Sequence, residues 1–163
     1  MSRDSAARGF FLLCKYLPAL ALLGIGYFTP HWIENEQHNC TQGLLTNSNC
    51  TSNVEDLHSA VVGLESAAIA LLTMATIVNV VLECCYGENN PMTTKARCIC
   101  AFFFGIGGIL GLIGCVAVFA EYTHETRGWS FWVSFAGSIV AIVTWTTFKE
   151  TRDLFKDTGY QTL

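Results

Sequence analysis

Residues 98–120 read CICAFFFGIGGILGLIGCVAVFA, with Arg97 immediately before and Glu121 immediately after. No charge and no proline interrupts the run. A helix needs ~20 apolar residues to cross the hydrocarbon core of a bilayer. A helix at the edge of a water-soluble core would carry a polar stripe, and this stretch carries none. Its solvent is therefore expected to be lipid, and the rest of the chain is read as a membrane protein. The 163 residues are 52% hydrophobic and 13% charged, about half the charged share of an ordinary soluble domain. That length leaves room for one domain. No basic run is long enough to suggest nucleic acid as a partner.

Three more apolar stretches flank this one. Residues 10–28 (FFLLCKYLPALALLGIGYF) form the first span, after a short polar head at 1–9. Lys15 lies near one end of it and can snorkel to the headgroups. Pro18 is tolerable in a membrane helix whose neighbours satisfy the freed carbonyl. The stretch ends without a small-x-small cleavage site, so it reads as a retained span and not as a signal peptide. Residues 29–57 are polar, and a second span runs over about 59–82. Residues 83–97 are a short loop with Gly87, Asn89, Asn90 and Pro91 as turn formers. The third span is 98–120. After the brief connection 121–128, the fourth span is 129–148, and a polar tail occupies 149–163. The expected fold class is an all-α, four-transmembrane-helix bundle. It carries a small disulfide-linked outer loop with room for a short β-sheet.

Lysine and arginine set the orientation. Eight of the nine fall in the head, first span, middle loop and tail, and the other two loops hold Arg127 alone. The positive-inside rule places both termini and the middle loop in the cytosol. Residues 29–57 then face the lumen or the cell exterior, which are oxidising compartments. Cys40 and Cys50 lie there with nine residues between them. A disulfide is the economical reading, with two free thiols as the alternative. Both N-x-S/T sequons, Asn39-Cys40-Thr41 and Asn49-Cys50-Thr51, fall in the same loop. Each has a cysteine at its middle position, so disulfide closure and glycan addition compete.

Pro30-His31-Trp32 after the first span, the pair Cys40 and Cys50, Tyr122-Thr123, and Gly128-Trp129-Ser130-Phe131-Trp132 entering the fourth span form a pattern. With four spans and cytosolic termini, it resembles the claudin, epithelial membrane protein and peripheral myelin protein superfamily. The chain departs from that pattern where Gly-Leu-Trp would precede the first loop cysteine: Gly43-Leu44-Leu45 follows Cys40 instead. Its first loop is also short for a claudin and nearer the myelin and epithelial proteins. The resemblance implies a left-handed four-helix bundle carrying a small extracellular sheet.

Within the spans, Glu65 stands out, one to two turns in from the outer side. An intramembrane carboxylate is a functional hypothesis by default. It serves as a proton or cation site, pairs with Arg127, or is a shallow acid that fixes helix packing. Gly105, Gly107, Gly108, Gly111 and Gly114 line one broad face of the third span. The Gly107-x-x-x-Gly111 spacing lets helix backbones approach, within the bundle or in a dimer. Cys84, Cys85, Cys98 and Cys100 gather at the cytosolic edge as candidates for S-palmitoylation, with reduced thiols as the alternative. Cys14 and Cys115 read as packing residues. No metal site and no cofactor is expected, because neither the cysteine nor the histidine spacings suit one.

The chain ends Gly159-Tyr160-Gln161-Thr162-Leu163. In extended form, a tyrosine and a bulky aliphatic residue three positions later can fill two pockets of a clathrin adaptor, with backbone pairing between them. The glycine, the terminal position and the short spacer are similar to the tails of lysosome-associated membrane proteins. Cytotoxic-granule relatives of the epithelial membrane proteins look similar in ending Gly-Tyr-x-Thr-Leu. A PDZ ligand is a rival use of Leu163. Nothing resembles a catalytic constellation, so no enzyme is expected. The leading expectation is a tetraspan organiser or accessory subunit in late endosomes, lysosomes and the plasma membrane. Its partners would be the bilayer, a clathrin adaptor, other membrane proteins and further copies of itself. The alternatives are a cell-cell junction protein and a proton- or cation-coupled transporter using Glu65.

Overall fold

The computed structural model describes residues 3–35, 40–45, 55–86, 91–121 and 126–157. Four long helices dominate: α1 (Arg3–Phe28), α2 (Glu55–Tyr86), α3 (Pro91–Glu121) and α4 (Trp129–Asp157). The shortest has 26 residues, or roughly 39 Å at 1.5 Å per residue. Three helices contain stretches long and apolar enough to cross a membrane: Ser59–Leu82, Lys95–Ala120 and Trp129–Thr147. In α1 the described apolar run is the shorter Cys14–Phe28.

The helices overrun the apolar stretches that announce them. Residues 83–86 and 91–97, expected in a loop, continue α2 and open α3. Likewise, α4 extends past the expected tail boundary to Asp157. Apolar runs mark contact with hydrocarbon, whereas a helix ends where its backbone can no longer propagate. Pro91 begins α3, a position where its missing N–H breaks no intrahelical bond and its fixed φ suits the first turn.

Both connections at one end of the bundle contribute to a single sheet. β1 (Ile33–Asn35) is its centre, with β2 (Cys40–Gln42) on one side and β3 (Thr126–Arg127) on the other. Both pairings are antiparallel, so Glu34 lies between Thr41 and Thr126. The short sheet foreseen in the outer loop is present, and it also recruits the α3–α4 connection.

Below the sheet, Trp32, Ile33 and Leu44 pack with Tyr27, Val61, Val118 and Phe131. Deeper in the bundle, Tyr16, Leu23, Leu72 and Phe104 form a second core. The exterior differs from that of a soluble domain, because polar side chains are buried in the bundle while large apolar ones face outward. Buried positions include Glu65, Asn79, Ser130, Ser134 and Ser138, while Ile77, Ile99, Phe102, Ile113 and Ile139 are exposed. In water such an exterior would be strongly unfavourable, but against hydrocarbon it costs nothing. Two of the interior polar groups are satisfied within their own helix: Thr76 donates to the Leu72 carbonyl at 2.7 Å and Asn79 to that of Ala75 at 2.8 Å.

The α3 glycines are used inside the bundle. A Cβ at Gly107 would meet Leu72 and the Ala68 carbonyl of α2. A Cβ at Gly111 would lie 2.6 Å from Ser138 Oγ of α4. The Gly107-x-x-x-Gly111 pair therefore seats two different neighbours of the same chain, and these two glycines are not left free as a dimer face.

Candidate functional site

Glu65 sits 10 residues into α2 and is 0% exposed. Three helices make its surroundings. Ser134 Oγ of α4 donates to Oε2 at 3.2 Å, and the Cys115 thiol of α3 donates to Oε1 at 3.6 Å. Gly114 leaves the space for the carboxyl group, since a Cβ there would lie 3.2 Å from Oε1. One turn of α2 thus supplies both the acid and, at the next residue, Ser66, which shares a 2.6 Å hydrogen bond with the Tyr27 hydroxyl of α1. All four helices meet in this polar layer. Chemically, it is a carboxyl group closed over by donors of its own chain, an arrangement suited to holding helices together.

Arg127 is not among the partners of Glu65, which corrects the pairing considered for these two residues. Its guanidinium donates to the Phe119 carbonyl at 3.0 Å and stacks 4.0 Å above the Phe119 ring. Phe119 lies in the last turn of α3, where carbonyls lack intrahelical partners and a cation is favoured. Arg127 thereby caps the end of α3.

The second locus lies at the roots of the α1–α2 and α3–α4 connections, next to the sheet. Trp32 Nε1 donates to the Gly26 carbonyl at 2.6 Å, folding the loop back onto the end of α1. Gly128 N donates to the Trp32 carbonyl at 3.0 Å, and Ser130 N to that of His31 at 3.1 Å. Thr29 Oγ1 lies 2.6 Å from Ser130 Oγ. Pro30-His31-Trp32 and Gly128-Trp129-Ser130, nearly 100 residues apart in sequence, are therefore in direct contact. Gly128 is required here by space, because a Cβ would collide with the His31 carbonyl. His31 Nδ1 also lies 3.6 Å from Glu34 Oε1, and its ring tilts over Trp129.

The remaining sequence candidates divide by location. Cys40 is on β2, where its backbone pairs opposite Asn35. Cys50, Asn39 and Asn49 lie outside the described residues, as do Gly159, Tyr160 and Leu163 of the tail. Cys84 and Cys85 fall near the end of α2, and Cys98 and Cys100 near the start of α3, away from the sheet. Cys85 is exposed and Cys98 half-buried. Cys100 is only 6% exposed and belongs to the deeper core, so its thiol faces protein and not lipid or cytosol. Cys14, expected to pack, is exposed, whereas Cys115 is buried as expected.

Sequence reasoning singled out Glu65 but missed Ser134 and Cys115. Ser130, Ser134 and Ser138 recur every four residues in the first half of an uncharged span, which places them on one helix face. That spacing was the available signal. No protein-family model and no curated protein matches the chain.

Proposed function

We propose that this chain is a four-span membrane protein of the endosomal and lysosomal system and the plasma membrane, acting without catalysis as an organiser or accessory subunit through lateral contacts. The apolar exterior of the bundle carries this reading. Interior polar groups such as Glu65 and Ser134 join helix to helix, and many large apolar side chains face outward. A molecule built this way offers its surroundings helix faces and a small outer sheet. In this reading α1 completes the count of four as the first span, residues 10–13 (FFLL) preceding its apolar run Cys14–Phe28.

In this reading both termini are cytosolic. The outer loop carries the Cys40–Cys50 disulfide and glycans at Asn39 and Asn49, in whatever proportion their competition allows. S-palmitoylation falls on Cys84, Cys85 and Cys98. The tail signal of Gly159, Tyr160 and Leu163 engages a clathrin adaptor. Helix α4 continues nine residues past the fourth span, a stand-off of roughly 14 Å from its end. Tyr160 follows three residues later in the sequence.

Localisation of an N-terminally tagged chain beside its Tyr160→Ala variant tests the sorting part. Wild type in lysosomes and variant accumulating at the cell surface is the expected pair of results. Both proteins at contacts between expressing cells would discard it in favour of a junction protein.

A further inference from the structure

Around the bundle, α1 packs on α2 and α4, and α3 packs on the same two helices. α2 and α4 therefore stand on a diagonal. Glu65 crosses that diagonal through its 3.2 Å bond from Ser134. Its other donor, the Cys115 thiol on α3, is intrinsically weak and sits at 3.6 Å. Without α4, one carboxyl oxygen is met weakly and the other is not met by the contact it makes in the closed bundle.

α4 is the least apolar of the three membrane-length helices. Its inner face is a polar ladder, because Ser130, Ser134 and Ser138 are each 0% exposed. Between helices in lipid there is no hydrophobic driving force, so packing and polar contacts must draw them together. A buried acid lacking its donors is costly in that medium. α4 is also last in the chain, and so the last to reach the others during synthesis.

We propose that Glu65 is the docking latch for α4, an acid that the first three helices leave open and Ser134 closes. Glu65 supplies the attraction, and the outer loops supply the register. A one-turn slip would put Ser130 or Ser138 opposite the acid, and either could donate to it. Such a slip is blocked because Ser130 is already engaged by Thr29 and His31, and Gly128 by Trp32. Close approach completes the seat: a Cβ at Gly26 would be 2.7 Å from Ser134 Cβ, and one at Gly137 would be 2.8 Å from the Leu23 nitrogen. The inference rests on the bilayer reading of the helices and is independent of the sorting tail.

A double-mutant cycle on the purified full-length chain in lipid nanodiscs tests it. Ser134→Ala should lower the melting temperature by about 2–4 °C when Glu65 is present. In a Glu65→Leu background the same change should cost under about 1 °C, because the open acid is gone. Equal shifts in the two backgrounds overturn the proposal. If Ser134→Ala alone does not accumulate, recovery in the double variant supports the latch, and continued loss overturns it. Failure of Glu65→Leu while Ser134→Ala accumulates also overturns it, since Glu65 would then serve something other than Ser134.

Discussion

Trp32 illustrates how single side chains hold the sheet end of the bundle. Its ring fills the core below the sheet, and its N–H closes the loop onto the Gly26 carbonyl. Trp32→Phe keeps most of the ring and removes the donor. The expected loss is about 1 kcal/mol, read as a lower melting temperature in nanodiscs with an unchanged helical circular-dichroism signal. Gly26 and Gly63 offer a contrast at equal chemistry. An added Cβ at Gly26 meets Ser134 backbone at 2.8 Å, whereas at Gly63 it meets nothing within 4 Å. Gly26→Ala should therefore destabilise by about 1–3 kcal/mol through overpacking. Gly63→Ala should be neutral or slightly stabilising, since alanine is the better helix former. Glu65 was conspicuous in the sequence because a lone acid in an apolar run is conspicuous. Its donors were not, because they come from helices 50 and 69 residues away.

Among the elements, α3 has the clearest division of labour. Gly107, Gly108, Gly111 and Gly114 give its inner face room for α2 and α4, while Ile109, Ile113 and Val116 are exposed. Gly111→Val should lower stability by about 1–3 kcal/mol, because Ser138 and Leu23 occupy the space that the new side chain needs. Ile113→Ala should change the melting temperature little, because a lipid-facing side chain exchanges one apolar contact for another. Measuring both in one nanodisc series separates packing from lipid contact. Helix existence was legible here from the unbroken apolar run, but the direction each glycine faces was not. A face rich in glycine reads the same whether its neighbour is α4 or a second molecule. The strands were silent for a different reason. Segments of two or three residues, such as Thr126–Arg127, are too short to show an alternating pattern, and their pairing is set by loops that close over long sequence distances.

On the scale of the whole molecule, the polar layer around Glu65 and the sheet above it close the same end of the bundle. The link runs from Glu65 to Ser134, up one turn of α4 to Ser130, and across to Thr29 and His31. The count of spans then decides on which side of the membrane everything else lies. Four spans put both termini on one face of the membrane and the two sheet-forming connections on the other. Three spans, with α1 lying outside the hydrocarbon, would put the termini on opposite faces. Antibody access to N- and C-terminal tags after selective permeabilisation of the plasma membrane measures this directly, on two separately tagged chains. Both tags hidden on intact cells and accessible after permeabilisation, together with a mobility shift on glycosidase treatment that is lost when Asn39 and Asn49 are changed to Gln, is the predicted result. One terminus accessible and the other protected would contradict the account.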